Sequence, residues 1–305
     1  MMDTNDPMYP EPVIDAGYFN PTEAEVLKFQ SQQEYKVFGD TPAAHETKTI
    51  PENVSLWDVW KKVNNNAPFL WNQGSYGTCV SQAGAAAAMY LSASEVMAGE
   101  AEEVKNLSTE VVYGFSRVEI ANNRIPCRSD GSNGIWCVEG LKKFGICERK
   151  NYGSYDLSKY SGETSRTFGC TGVPQNIEDE CAKHKIGFYS QVKTVEDLGL
   201  ALANGYPVIV CSNRGFSRNL DERGVASPYG VWNHAMLLCS KQGDLYGCQN
   251  SWGDYFRCAN KPDYLPNLGC FMIDKKTVAG MLAQGDSWAI SNFNGFKKRN
   301  IDWSF

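Results

Sequence analysis

The sequence predicts an α+β protein whose helices and strands occupy different halves of the chain. Two observations carry this. An alanine-rich run after a glycine-bearing loop, WNQGSYGTCVSQAGAAAAMYLSASEVMAG (71–99), has high helix propensity, and helical periodicity returns at 107–121 and 135–145. From Gly205 the texture changes to short apolar runs, YPVIVCS (206–212), HAMLLCS (234–240), DLYGCQNS (244–251) and GCFMID (269–274), which read as strands.

Taken in order, residues 1–49 form a polar, proline-bearing extension with one helix expected within 21–35, and a boundary falls at Ile50-Pro51. Thr78 or Ser75 is placed to cap the alanine-rich helix, and Gly145 to end the helix that starts near Ile135. Residues 147–192 are rich in glycine, serine and charge and read as loops with short elements. Thr194, with Asp197 three residues on, resembles a capping box for a helix through TVEDLGLALANG.

Composition excludes several classes. The chain has 305 residues, 42% hydrophobic and 21% charged, the balance of an ordinary globular protein. No apolar run reaches the length of a membrane span, and no basic segment precedes an apolar stretch as in a secretory signal. The net charge of −6 resides in the first 50 residues, which hold nine acids and three lysines, while the remainder is balanced. Neither part has the basic footprint of a nucleic-acid binder. The eleven cysteines include no C-x-x-C pair, which argues against zinc or thioredoxin-like chemistry. Without a secretory signal, most are expected to be reduced, buried thiols and the protein intracellular.

Cys79 stands where the glycine-bearing loop becomes a helix, a position where unpaired backbone N–H groups favour a thiolate. There are three histidines. His45 lies in the extension and His184 in a charged run, whereas His234 opens an apolar strand. The strands HAMLLCS and DLYGCQN are joined by KQGD, a tight turn that can return Asn250 to His234. An Asn250 amide oxygen could then engage one imidazole nitrogen and leave the other facing a thiol, with Trp252 covering the bond from water.

These pieces resemble the papain and cathepsin family of cysteine peptidases. NQGSYGTC resembles its active-site loop, NHA its histidine motif and QNSWG its asparagine motif, with His234 and Asn250 sixteen residues apart. IPENVSLW (50–57), LSTEVVYGF and GLKKFGI extend the likeness over roughly residues 50–275. The resemblance implies a two-lobed α+β fold, a helical lobe and an antiparallel β lobe with the active site between them. It implies Cys79 as nucleophile, His234 as acid and base, and Asn250 as orienter. Gln73 and the Cys79 N–H would form the oxyanion hole, and Gly131 and Ser132 (or Gly134) would bond substrate backbone. No metal or organic cofactor is implied, and the partner is a polypeptide substrate. Tyr76 replaces a family cysteine, Val80 a family aromatic, and Ser129 falls where the partner of that cysteine is expected. The loss of both halves of that bridge fits a reducing compartment.

Residues 1–49 are short for a family propeptide. They read first as an arm packed on its own domain or a neighbour, and second as a short inhibitory segment. Two other classes compete with a peptidase. A papain-like scaffold in an assembly such as a virus particle would use the extension and the aromatic tail FNGFKKRNIDWSF as contacts and migrate as a large complex. A cell-wall amidase would turn over a cell-wall fragment and not a protein, and QNSWG argues against it.

Overall fold

The computed structural model describes residues 17–65, 69–101, 105–266, 269–292 and 294–304. The first sixteen residues of the extension and Phe293 and Phe305 of the tail lie outside the described residues. Ten α-helices and nine strands are described. The helices are α1 (Glu23–Gln30), α2 (Pro42–Glu46), α3 (Leu56–Asn64), α4 (Cys79–Met97), α5 (Thr109–Phe115), α6 (Gly134–Lys143), α7 (Gly162–Thr171), α8 (Gln175–Cys181), α9 (Val195–Ala203) and α10 (Lys275–Leu282). The strands are β1 (Asn53–Ser55), β2 (Asn151–Tyr152), β3 (Tyr155–Asp156), β4 (Phe188–Gln191), β5 (Val208–Leu220), β6 (Ala226–Gln242), β7 (Leu245–Gln249), β8 (Cys270–Asp274) and β9 (Asp286–Ser291).

The expected segregation is present. α4 is the axis of the helical half, with sixteen of its nineteen residues buried. Its small side chains let α3, α5, α6 and β6 all approach it. At Gly84 a Cβ would lie 2.4 Å from the Cys137 sulfur of α6, so any larger residue would push the two helices apart. The other half is an antiparallel sheet in the order β4-β9-β5-β6-β7-β8, with β1 paired to the far end of β6. Asp286 rivets the halves together. From β9 its carboxylate accepts the first two N–H groups of α6, Gly134 at 2.7 Å and Ile135 at 3.0 Å, and the Trp288 indole at 2.6 Å.

Several local expectations need correction. Thr78 stands at the start of α4 but makes no cap; its hydroxyl bonds Tyr160 at 2.8 Å. The capping box of Thr194 and Asp197 is made, and Thr22 with Glu25 makes another. The loop reading of 147–192 missed α7 and α8. α7 carries too few apolar residues for a periodic signal, and it is set by close packing, Gly169 lying against the Tyr113 ring. β5 and β6 run well past the sequence-predicted strands because their outer halves are only partly buried, Tyr229 and Val231 being exposed, and lack apolar alternation.

Most cysteines are free and buried as expected, with one exception. Nine are free, eight of them buried, but Cys127 and Cys170 form a disulfide. That disulfide gives no support to a reducing compartment. No described helix is long and apolar enough to cross a membrane.

The described part of the extension touches both halves. α1 lies on α6 and α2 on α9, Gln30 bonds Gln191 at 3.0 Å, and Ala43 N–H donates to Phe296 at 2.9 Å. The tail folds back on its own chain. Arg299 is buried against Glu95 and Glu100, and the Trp303 indole donates to the Ala203 carbonyl.

Candidate active site

His234 sits on β6 opposite Ser212, and the turn at Gly243 sends β7 back so that Asn250 arrives beside it. His234 Nε2 and Asn250 Oδ1 are 2.6 Å apart. The same oxygen accepts the Ser251 N–H at 2.7 Å, which fixes the orientation of the amide. An amide oxygen can only accept, so Nε2 carries a proton and Nδ1 is the basic nitrogen of the neutral ring. Nδ1 is buried with no hydrogen-bond partner among the described residues. Trp252 stacks on the imidazole at 4.3 Å and 24°, and is itself backed by Trp232 and Tyr255. This aromatic wall shields the His–Asn bond from water.

Cys79 opens α4, with the backbone N–H of Ala235, the residue after His234, close enough to favour its thiolate. Gln73 reaches the same region because its loop is zipped to the asparagine motif. Gln73 N–H donates to the Ser251 carbonyl at 2.8 Å, its Oε1 accepts the Ser251 hydroxyl at 2.7 Å, and Gly253 N–H donates to the Trp71 carbonyl at 2.8 Å. Gln73 Nε2 donates to the Tyr76 carbonyl at 2.7 Å. His234, Asn250, Gln73 and Trp252 are thus joined through the asparagine motif, and Cys79 lies at the start of α4, which packs on β6.

The site is covered. Cys79 and His234 are both 0% exposed. Residues Gly17–Phe19 cross the cleft as a strap: Tyr18 N–H donates to the Asn233 carbonyl at 3.2 Å, Phe19 N–H to the Ser132 carbonyl at 3.2 Å, and Ser132 N–H to the Gly17 carbonyl at 2.8 Å. The strap runs parallel to the Ser132 segment. Both backbone groups of Ser132 are therefore engaged by the strap. Those of Gly131 are not, because its N–H donates to the Tyr113 hydroxyl at 2.9 Å and its carbonyl accepts Arg117 at 2.8 Å. Gly134 faces Asp286. Sequence reasoning overlooked Asn233 and Ser251, although both sit inside the quoted NHA and QNSWG motifs.

Burial changes the chemistry expected of the pair. It pushes the Cys79 thiol up to about 12, against the lowering effect of the Ala235 and Val80 N–H groups. Burial also pushes His234 down to about 4, against the Asn250 bond. In the covered form the two are a neutral thiol and a neutral imidazole, and the ion pair implied by the resemblance is suppressed.

Two buried groups here give opposite pH dependences. Burial raises Asp286 from 3.8 to about 6, so its contribution of about 3 kcal/mol is full below pH 3.8 and lost as pH rises through 6. His234, lowered from 6.5 to about 4, contributes a similar amount above pH 6.5 that is lost as pH falls through 4. The two largely offset in the intact chain. Urea unfolding at pH 4.5 and 7 should therefore show Asp286→Asn gaining stability with pH relative to wild type, and His234→Gln losing it. Identical pH slopes in all three proteins would rule this out.

The sequence matches no family model and no curated protein. Its structure is similar to that of xylellain, a cysteine protease from Xylella fastidiosa, with TM-score 0.57, 16% identity, and coverage of 96% of this chain and 94% of that one. It is similar to digestive procathepsin L 3 from the larval midgut of Tenebrio molitor, with TM-score 0.53, 13% identity, and coverage of 90% and 83%. It is also similar to the proform of Amb a 11, a ragweed cysteine protease, with TM-score 0.54, 17% identity, and coverage of 91% and 75%. The chain has the papain-like α+β fold.

Proposed function

We propose that the chain is a cysteine peptidase held latent by its own strap. The observation that carries this is the His234–Asn250 bond, which leaves Nδ1 as the buried basic nitrogen on a strand whose next residue, Ala235, acts on Cys79. In the uncovered site Cys79 gives its proton to Nδ1, and the thiolate forms a bond to the scissile carbonyl carbon. The Gln73 amide and the N–H of Cys79, at the helix start where backbone donors lack intrahelical partners, meet the negative oxygen. His234 returns the proton to the leaving amine, then takes one from water as the thioester is hydrolysed. Asn250 holds the ring through both steps, and Ser132 pairs with substrate backbone. No cofactor enters the scheme.

The strap supports latency because it uses the Ser132 groups that an extended peptide would need. Two of the similar structures are proforms by description. The test is a thiol-directed peptidyl epoxide with mass-spectrometric readout across the eleven cysteines. The full-length chain should label slowly, and a Gly17→Val chain stoichiometrically at Cys79, with hydrolysis of a denatured protein substrate appearing alongside. A Cys79 that stays inert in both would return the domain to the scaffold reading.

A further inference from the structure

We propose that Arg117 is a positioning residue for the substrate-binding edge of the cleft. This inference rests on the peptidase reading. Arg117 is 2% exposed and lies in the π-helical turn Ser116–Ile120 that follows α5. Among the described residues its guanidinium makes five bonds, none to a carboxylate. Nε donates to the Gly169 carbonyl at 3.0 Å, one terminal nitrogen to the Tyr113 hydroxyl at 3.2 Å and the Gly131 carbonyl at 2.8 Å, and the other to the carbonyls of Pro126 at 3.2 Å and Ser129 at 2.7 Å.

Three of these five acceptors lie in one short loop that has no regular structure of its own and ends at Ser132. The Tyr113 hydroxyl, itself bonded to Arg117, accepts the Gly131 N–H. Both backbone groups of Gly131 are thus fastened inward. The next residue, Ser132, has its hydroxyl tied to Ser116 at 3.0 Å and turns its N–H and carbonyl into the cleft, where they hold the strap. The planar fork matters because it gathers diverging carbonyls from one rigid group, which a lysine cannot do. Asp130, between the anchored residues, bonds Gly77 N–H at 3.1 Å and pairs with Arg166, so the same loop is also registered against the segment leading to Cys79.

The test uses full-length Arg117→Lys and the milder Tyr113→Phe, which removes the relay hydroxyl and keeps the ring. Hydrogen exchange read residue by residue should show the Phe19 and Ser132 amides opening about 10-fold faster, as expected for loss of buried charge-assisted bonds, with α4 amides unchanged. In the Gly17→Val background, KM for a peptide should rise about 10-fold with kcat little altered, and iodoacetamide should alkylate Cys79 at the parent rate because it needs no backbone pairing. Unchanged exchange at Phe19 and Ser132 in the Tyr113→Phe chain would overturn the proposal. So would faster exchange throughout the chain, which would mark a general stabilising role. Selective opening in a chain that hydrolyses nothing would leave this inference standing and sink the peptidase reading alone.

Discussion

Gly17→Val should raise the alkylation rate of Cys79 by iodoacetamide on the order of 10³-fold at pH 7. Gly17 has φ +101° and lies so close to the nucleophile loop that a Cβ would sit 2.1 Å from the Gly77 carbonyl oxygen. Neither feature can be relieved by a rotamer change, because the obstacle is backbone. Valine adds branching at a φ that such residues avoid, so the strap has to leave. Uncovering then acts through ionisation. A thiol held at about 12 is ionised roughly once in 10⁵ molecules at pH 7, whereas an ordinary cysteine is ionised at a few per cent. The gain should be larger still if His234 returns to its usual range and stabilises the thiolate. Hydrogen exchange at Tyr18 and Phe19 provides the control. A strap that is released without faster alkylation would show that it is not what suppresses Cys79.

The second large effect concerns the pair itself. In the Gly17→Val background, Cys79→Ala and His234→Ala should each lower kcat/KM for a peptide substrate by about 10⁴-fold, and the double variant should be little worse than either. On the peptidase reading the two side chains perform one proton transfer and one bond formation, so removing either removes both. Asn250→Ala should cost less, because Trp252 still holds the ring from one face and only the tautomer and in-plane orientation are lost. Additive losses across Cys79 and His234 would mean that they do not act as a unit.

The cleft was largely legible because it is written in contiguous motifs. QNSWG carries the residue that bonds His234, the one that bonds Gln73 and the ring that stacks on the imidazole, so three contacts follow from one hairpin return. The sheet was legible wherever strands are buried, and illegible in the outer halves of β5 and β6, where burial no longer sets the pattern. α7 was missed because packing on α5, not periodicity, specifies it. Arg117 had no local signal, since an arginine near the end of a helix normally reads as a solvated side chain and its five acceptors come from segments up to 52 residues away. The protonation states of the covered form were not legible for a related reason. The helix-start position of Cys79 favours a thiolate, but its burial in the fold outweighs it.

The strap's three cleft bonds are all to main chain, so they depend on the presence of a peptide and not on which one it is. In kinetic terms the strap is a competitor that never diffuses away, present at an effective concentration on the order of millimolar by virtue of its tether. On the peptidase reading a free polypeptide would gain entry by mass action, and crowded or unfolded protein would do so better than dilute native protein. Turnover by the intact chain would then rise with the local abundance of accessible backbone, a dose response with no receptor, modification or second protease behind it.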